Sequence, residues 1–170
     1  DNYGNPEAIT QTISLASNYP VEFQGLKETG EMIFETTMLM YDQDFPGQYC
    51  RLIKRVKLSV IALIPPIQGI KATLLNTGNS KTVISSNYLF QEVPVRKLPE
   101  AIAITSPSNA TGLFDMQQAG IEKLFPFEGL GVDTSWQLSI PRSTNFFDFN
   151  TIADILLEIE YTSFEDYTYK

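Results

Sequence analysis

Apolar and polar residues alternate along much of this 170-residue chain. Met32, Phe34, Thr36, Met38 and Met40 occupy every second position, which predicts a strand over 32–40. Val56, Leu58, Val60, Ala62 and Ile64 repeat the pattern against Arg55, Lys57 and Ser59, and Ile61 and Leu63 make the end of that strand apolar on both faces. Pro65 and Pro66 stop it, because neither can donate to a sheet ladder. Shorter strands are predicted at 13–16, 70–75, 82–85, 101–105, 113–116 and 136–140. The last apolar stretch, 152–161, fits two periods. Ile152, Leu156 and Ile159 suit a helix, whereas Ile155, Leu157, Ile159 and Tyr161 suit a strand, and the sustained alternation ending in Tyr161-Thr162 decides for the strand. A helical turn or two is predicted within 18–27, with Pro20 at a first helical position, Phe23 and Leu26 three apart, and Gly30 as its stop. Asp44 to Gly47 forms a turn around Pro46 and Gly47.

Eight to ten short strands, separated by turns, predict an all-β antiparallel sandwich with a short N-terminal helical turn. Composition agrees. Val and Ile total 23 residues and aromatics 20, against nine Ala, a balance that favours pleated, half-buried surfaces over helices. The length fits one domain. The expected division is an N-terminal extension or linker at 1–12, the sandwich at 13–163 and a C-terminal tail at 164–170. The chain starts at Asp1 with no Met and no recognisable signal peptide, as expected of a piece of a longer protein.

Charge removes several function classes. Twelve Lys and Arg stand against 20 Asp and Glu, a net −8, which disfavours nucleic acid and anionic membranes as main partners. With no His, histidine triads, histidine metal sites and histidine pH switches are excluded. The single Cys50 allows no intrachain disulfide, and without a histidine base it reads as a packed small residue. No apolar run is long enough to cross a bilayer as a helix.

Candidate chemistry is sparse. Asp42, Asp44, Asp115, Glu128, Asp148 and Asp154 could supply acid–base pairs, but turn caps and salt bridges are the commoner use of such residues. Asp42, Asp44 and Asp148 could gather oxygen ligands for calcium, without EF-hand spacing. Arg51, Lys54, Arg55 and Lys57 concentrate four cations where alternation predicts a solvated strand face. Asn109-Ala110-Thr111 matches a glycosylation sequon. Trp136 could stack on a sugar, although a lone strand tryptophan more often belongs to a core. No phosphate loop, dinucleotide fingerprint or metal motif is present, so no cofactor is expected.

Several segments, in order, resemble the C-terminal TcB-binding domain of the TcA subunit of bacterial Tc insecticidal toxin complexes. They are ISLA at 13–16 with LKETG at 26–30, YDQDFPGQYCRLIKRV at 41–56, NATGLF at 109–114, FPFEG at 125–129, SWQL at 135–138 and FDFNTIADILL at 147–157. The positions that carry the likeness are Asp42, Asp44, Pro46, Gly47, Tyr49, Arg51, Lys54, Asn109, Gly112, Phe114, Pro126, Phe127, Glu128, Gly129, Trp136 and Asp154. The chain departs from the family at Pro65-Pro66-Ile67, in place of a Gly-Pro-Tyr turn, and at Gln48 and Cys50 beside Tyr49. The resemblance implies a non-catalytic docking and assembly module of a secreted or surface-borne pore-forming toxin. It implies binding to the TcB–TcC cocoon at the channel entrance and homopentamer formation by the full-length parent. Turn geometry and internal ion pairs are the expected roles of most of these positions. The alternative is a carbohydrate-binding sandwich of a secreted protein, with Trp136 and turn Asp and Asn residues at its site.

Overall fold

The computed structural model describes residues 7–63, 69–86, 89–106, 113–115, 117–118 and 127–165. Two antiparallel sheets face each other, the expected sandwich. The first has the order β1 (Glu7–Ser14), β10 (Ile152–Glu165), β3 (Gln48–Ala62), β7 (Leu113–Asp115). The second runs β2 (Glu31–Thr36), β9 (Asp133–Ser139), β4 (Ile70–Ser86), β6 (Glu100–Ser106), β8 (Gln117–Gln118), with β5 (Leu89–Arg96) paired to the outer half of β4. Helices α1 (Leu15–Asn18) and α2 (Pro20–Thr29) follow β1, and α3 (Met38–Asp44) follows β2.

Alternation puts Ile13, Leu58, Val60, Ile155, Leu157, Ile159 and Tyr161 of the first sheet against Met32, Phe34, Leu74, Trp136 and Leu138 of the second, all buried. Each such aliphatic side chain contributes about 1.5–3 kcal/mol by leaving water. The other face of the first sheet is a solvated charge ladder, with Lys57 opposite Glu158 and Arg55 opposite Glu160. The ambiguous 152–161 stretch is therefore a strand, and a central one.

Five local expectations need correction. Residues 7–12, expected in an extension, belong to β1, whose Glu7 pairs with Ser163. Residues 15 and 16 leave the strand for α1, because Ser14 caps the helix: its hydroxyl accepts from Ser17 N–H at 3.1 Å. The alternation at Met38 and Met40 does not continue β2. Thr37 turns the chain, Asp133 of β9 takes the Met38 N–H at 3.2 Å, and a helix starts there instead. Finally, β10 extends to Glu165, two residues into the expected tail. The expected strands at 70–75 and 82–85 are one long strand, interrupted at Gly78.

That interruption is built from glycine and asparagine. Gly78 has φ +86°, and its N–H is held by the buried Asn76 side chain at 2.8 Å. Asn76 also donates to Thr134 at 3.0 Å, and the Thr134 hydroxyl donates to the Asn79 carbonyl at 2.7 Å. The bulge lets Lys97 N–H reach the Gly78 carbonyl at 2.8 Å, where the chain passes from β5 to β6. Any Cβ on Gly78 would sit 2.1 Å from the Lys97 carbonyl oxygen. We expect Gly78→Ala to lower the urea midpoint by the equivalent of about 2 kcal/mol or more, since it adds left-handed strain to a backbone clash. An unchanged midpoint would contradict this account of the bulge.

Candidate docking surface

Asp42, Asp44, Pro46, Gly47, Tyr49, Arg51 and the turn at Phe127–Gly129 lie toward one end of the sandwich. There α3, the start of β3, the outer half of β4 and a crossing segment at 127–132 meet around one buried cation. Arg51, 3% exposed, donates from Nη1 to Asp42 Oδ1 at 2.7 Å and from Nη2 to the Phe45 carbonyl at 2.8 Å. Its guanidinium lies 5.8 Å from the Tyr41 ring centroid. The Arg51 carbonyl accepts from Thr82 Oγ1 and from Val132 N–H, both at 3.3 Å. One residue thus ties a helix, both sheets and the crossing segment together.

Asp44, one turn-end away, accepts from Gln11 Nε2 at 2.6 Å and clamps α3 to β1. Pro46 and Gly47 make the return into β3, with Gly47 at φ +85°. Tyr49 packs its ring against Phe90 at 5.4 Å and Phe164 at 5.8 Å, fastening the β4–β5 hairpin to the first sheet. Lys54 and Arg55 both pair with Glu160, at 3.6 and 2.8 Å. These exposed pairs are worth a few tenths of a kcal/mol each.

The Phe127–Gly129 turn inserts between the sheets. Phe127, left-handed at φ +68° and fully buried, meets Trp136 edge to face at 5.0 Å. Gly129 donates to the Ile53 carbonyl at 2.8 Å, and Ile53 donates to the Leu130 carbonyl at 2.6 Å. The exposed Glu128 contributes its backbone carbonyl to Lys97. Trp136 is 1% exposed and gives its indole N–H to Thr36 Oγ1 at 3.1 Å. It is core, so the carbohydrate reading loses the aromatic platform it required. Asp154 lies at the opposite end, where it accepts from Ser14 Oγ at 2.7 Å, Ala16 N–H at 3.1 Å and Ile155 N–H at 2.7 Å, fixing the start of α1. Phe114 lies in β7 opposite Val60. Asn109, Gly112 and Pro126 lie outside the described residues, as does the rest of the sequon.

The carboxylates weighed for chemistry are dispersed. Asp42 meets Arg51, Asp44 meets Gln11, and Asp148 caps a 3₁₀ turn at Phe149–Thr151 through Asn150 N–H at 2.9 Å. Among the described residues no three His, Cys, Asp or Glu side chains gather as a metal-holding group. A shallow polar groove of about 560 Å³ crosses the second sheet near its Lys81 end, between Glu35, Lys81, Arg96, Asp133 and Ser135. No aromatic side chain lines it.

A family model described as the Tc toxin complex TcA C-terminal TcB-binding domain matches residues 2–163. The chain belongs to this family. Toxin subunit YenA2 of Yersinia entomophaga is 30% identical over 174 aligned residues, which take in 92% of this chain and 12% of that protein. The cryo-EM structure of Yersinia pseudotuberculosis TcaA-TcaB shares the fold, with a TM-score of 0.58 at 19% identity, over 94% of this chain and 10% of that one. This TcB-binding family member therefore spans a small fraction of the length of those relatives.

Sequence reasoning missed β5, Gln11, Asn76 and Asn145. For β5, the alternation of Val93 and Val95 around Pro94 was a usable signal, since an edge strand tolerates proline. Asn145 is buried and mimics a strand partner for Lys71, donating to its carbonyl and accepting from its N–H, both at 2.8 Å. Nothing in the sequence marks that role.

Two predictions follow from the buried cation and the phenols near it. Asp42→Asn leaves the Arg51 charge buried and should cost about 2 kcal/mol, whereas Arg51→Met leaves only a partly exposed aspartate and should cost less. Chemical denaturation of both variants checks the order, and equal or reversed losses would contradict it. Burial pushes the Tyr41 and Tyr161 phenols above their ordinary range, and burial with Glu22 and Glu35 pushes Tyr19 to about 12. The native state then holds these protons more tightly than the unfolded chain. The stabilisation is complete below pH about 10 and declines as pH rises toward 12. Tyr19→Phe should make the alkaline fall of the melting temperature shallower; an unchanged slope would count against the shift.

Proposed function

We propose that this domain is a non-catalytic docking module of a secreted, TcA-like pore-forming toxin subunit, and that it binds a TcB-like partner, as part of a TcB–TcC cocoon, at the channel entrance. The carrying observation is the family match over nearly the whole chain. The geometry supports it. The signature side chains are spent on internal clamps and turns, which yields a rigid platform with loops free to present a rim. The dispersed carboxylates suit binding better than bond cleavage. In the parent, the module would repeat around a homopentamer, one interface used five times. The net −8 of each copy would draw a cationic partner surface toward the entrance.

The test is association of this chain with a TcB-like subunit, followed by biolayer interferometry across a salt series. Binding whose association rate falls as salt rises, with a nearly constant dissociation rate, is expected. An absence of binding at every salt concentration would overturn the docking role, and a salt-independent association rate would remove its electrostatic part.

A further inference from the structure

The first strand starts and the last strand finishes at the same end of the sandwich. Glu7 of β1 pairs with Ser163, and Glu165 of β10 pairs with Gln48 at the start of β3, beside α3. The chain spans 12% of YenA2 and 10% of the TcaA-TcaB chain, so in a parent of such length most of the polypeptide lies elsewhere. Whichever of the two strands that polypeptide continues from, it joins at the α3 end. The opposite end, formed by Ser14, Ala62, Ile70, Ser139 and the segment 140–151 between β9 and β10, is turned away from the parent's bulk.

Segment 140–151 is pinned along its length. Ile140 donates its N–H to the Gly30 carbonyl at 2.7 Å. The Arg142 guanidinium donates to the Lys27 carbonyl and lies 5.0 Å from the Phe149 ring centroid. The buried Asn145 side chain accepts from Lys71 N–H and donates to the carbonyls of Lys71 and Pro141, each at 2.8 Å. Phe147 stacks on Phe149 at 4.8 Å, and the Thr151 carbonyl accepts from Leu63 N–H at 2.7 Å. Between the buried Asn145 and the stacked Phe147, the Phe146 ring stands 78% exposed, and Leu63, tied to the same segment, is 73% exposed.

Single exposed apolar residues are ordinary. Phe146 differs in its setting: the backbone under it is held by its neighbours, and the segment's own packing does not use its ring. An aromatic ring on a fixed backbone has few torsions to lose when a partner covers it, which is the character of an anchor residue.

We infer that the 140–151 end is the face that meets the TcB-like partner, with the Phe146 ring seated in an apolar pocket of that subunit and Leu63 at the flank of the contact. This placement rests on the docking role proposed above. It separates two tasks: the α3 end, built around Arg51, joins the domain to its parent, and the far end makes the contact.

The experiment is biolayer interferometry of the full 170-residue chain against an immobilised TcB-like subunit, comparing the wild type with Phe146→Ser, Leu63→Ser and Leu39→Ser. Leu39 is the control, since it is 65% exposed but lies on α3. All three side chains are exposed, so melting temperatures should stay close to that of the wild type. Phe146→Ser should weaken binding about tenfold or more, chiefly through faster dissociation, and Leu63→Ser by a smaller factor. Leu39→Ser should bind as the wild type does. Wild-type affinity in Phe146→Ser would overturn the placement and leave the docking role standing. A loss confined to Leu39→Ser would overturn it by moving the contact to the α3 end. A wild type that does not bind would overturn the docking role and the placement together.

Discussion

The guanidinium of Arg51 is the constraint on which the α3 end of this molecule depends. A buried cation must be matched in charge and hydrogen bonding, because leaving it unmatched costs several kcal/mol. Asp42 and the Phe45 carbonyl meet that demand at Nη1 and Nη2, while Nε stays without a hydrogen-bond partner, and they do so only if α3 lies where it does. The helix in turn sets the turn at Pro46 and Gly47 and the entry into β3. The Arg51 backbone carries the constraint across the sandwich, to Thr82 of β4 and Val132 of the crossing segment. One polar group thereby coordinates four pieces of chain that hydrophobic burial alone would leave free to slide.

The Phe127–Val132 segment complements it. Joining two sheets requires a chain that can pair with one and feed the other. Phe127 and Gly129 adopt left-handed backbone conformations, and Gly131 passes β4 so closely that a Cβ would lie 2.2 Å from the Lys81 carbonyl oxygen. The backbone geometry thus accounts for the Phe127-Glu128-Gly129 part of this turn. The phenylalanine anchors against Trp136, the glycine permits the turn, and the glutamate side chain points to solvent.

Much of the sandwich was legible in the sequence, because a half-buried strand has a period of two and residues 54–60 and 155–161 display it cleanly. The failures have local causes. Met38 and Met40 follow the strand period, yet the carboxylate of Asp133, far away in sequence, captures the next N–H and turns the chain into a helix. Thr10 and Thr12 looked like linker because the outer face of β1 is polar. The Gly78 bulge hid a continuous strand behind what resembled a turn. The clamp of Asp42 on Arg51 lies nine residues apart and follows the motif; the clamp of Gln11 on Asp44 spans 33 and has no sequence signature.

A platform of this kind binds without reorganising its interior, and most of the ordering cost is met during folding. Hydrogen exchange of this chain, alone and with a saturating TcB-like subunit, tests that claim most directly. The account predicts strong protection of amides at Arg51, Ile53, Leu130 and Trp136 before the partner is added, with new protection confined to exposed loops and margins. Unprotected amides around Arg51 and Trp136 that become protected only on binding would contradict it.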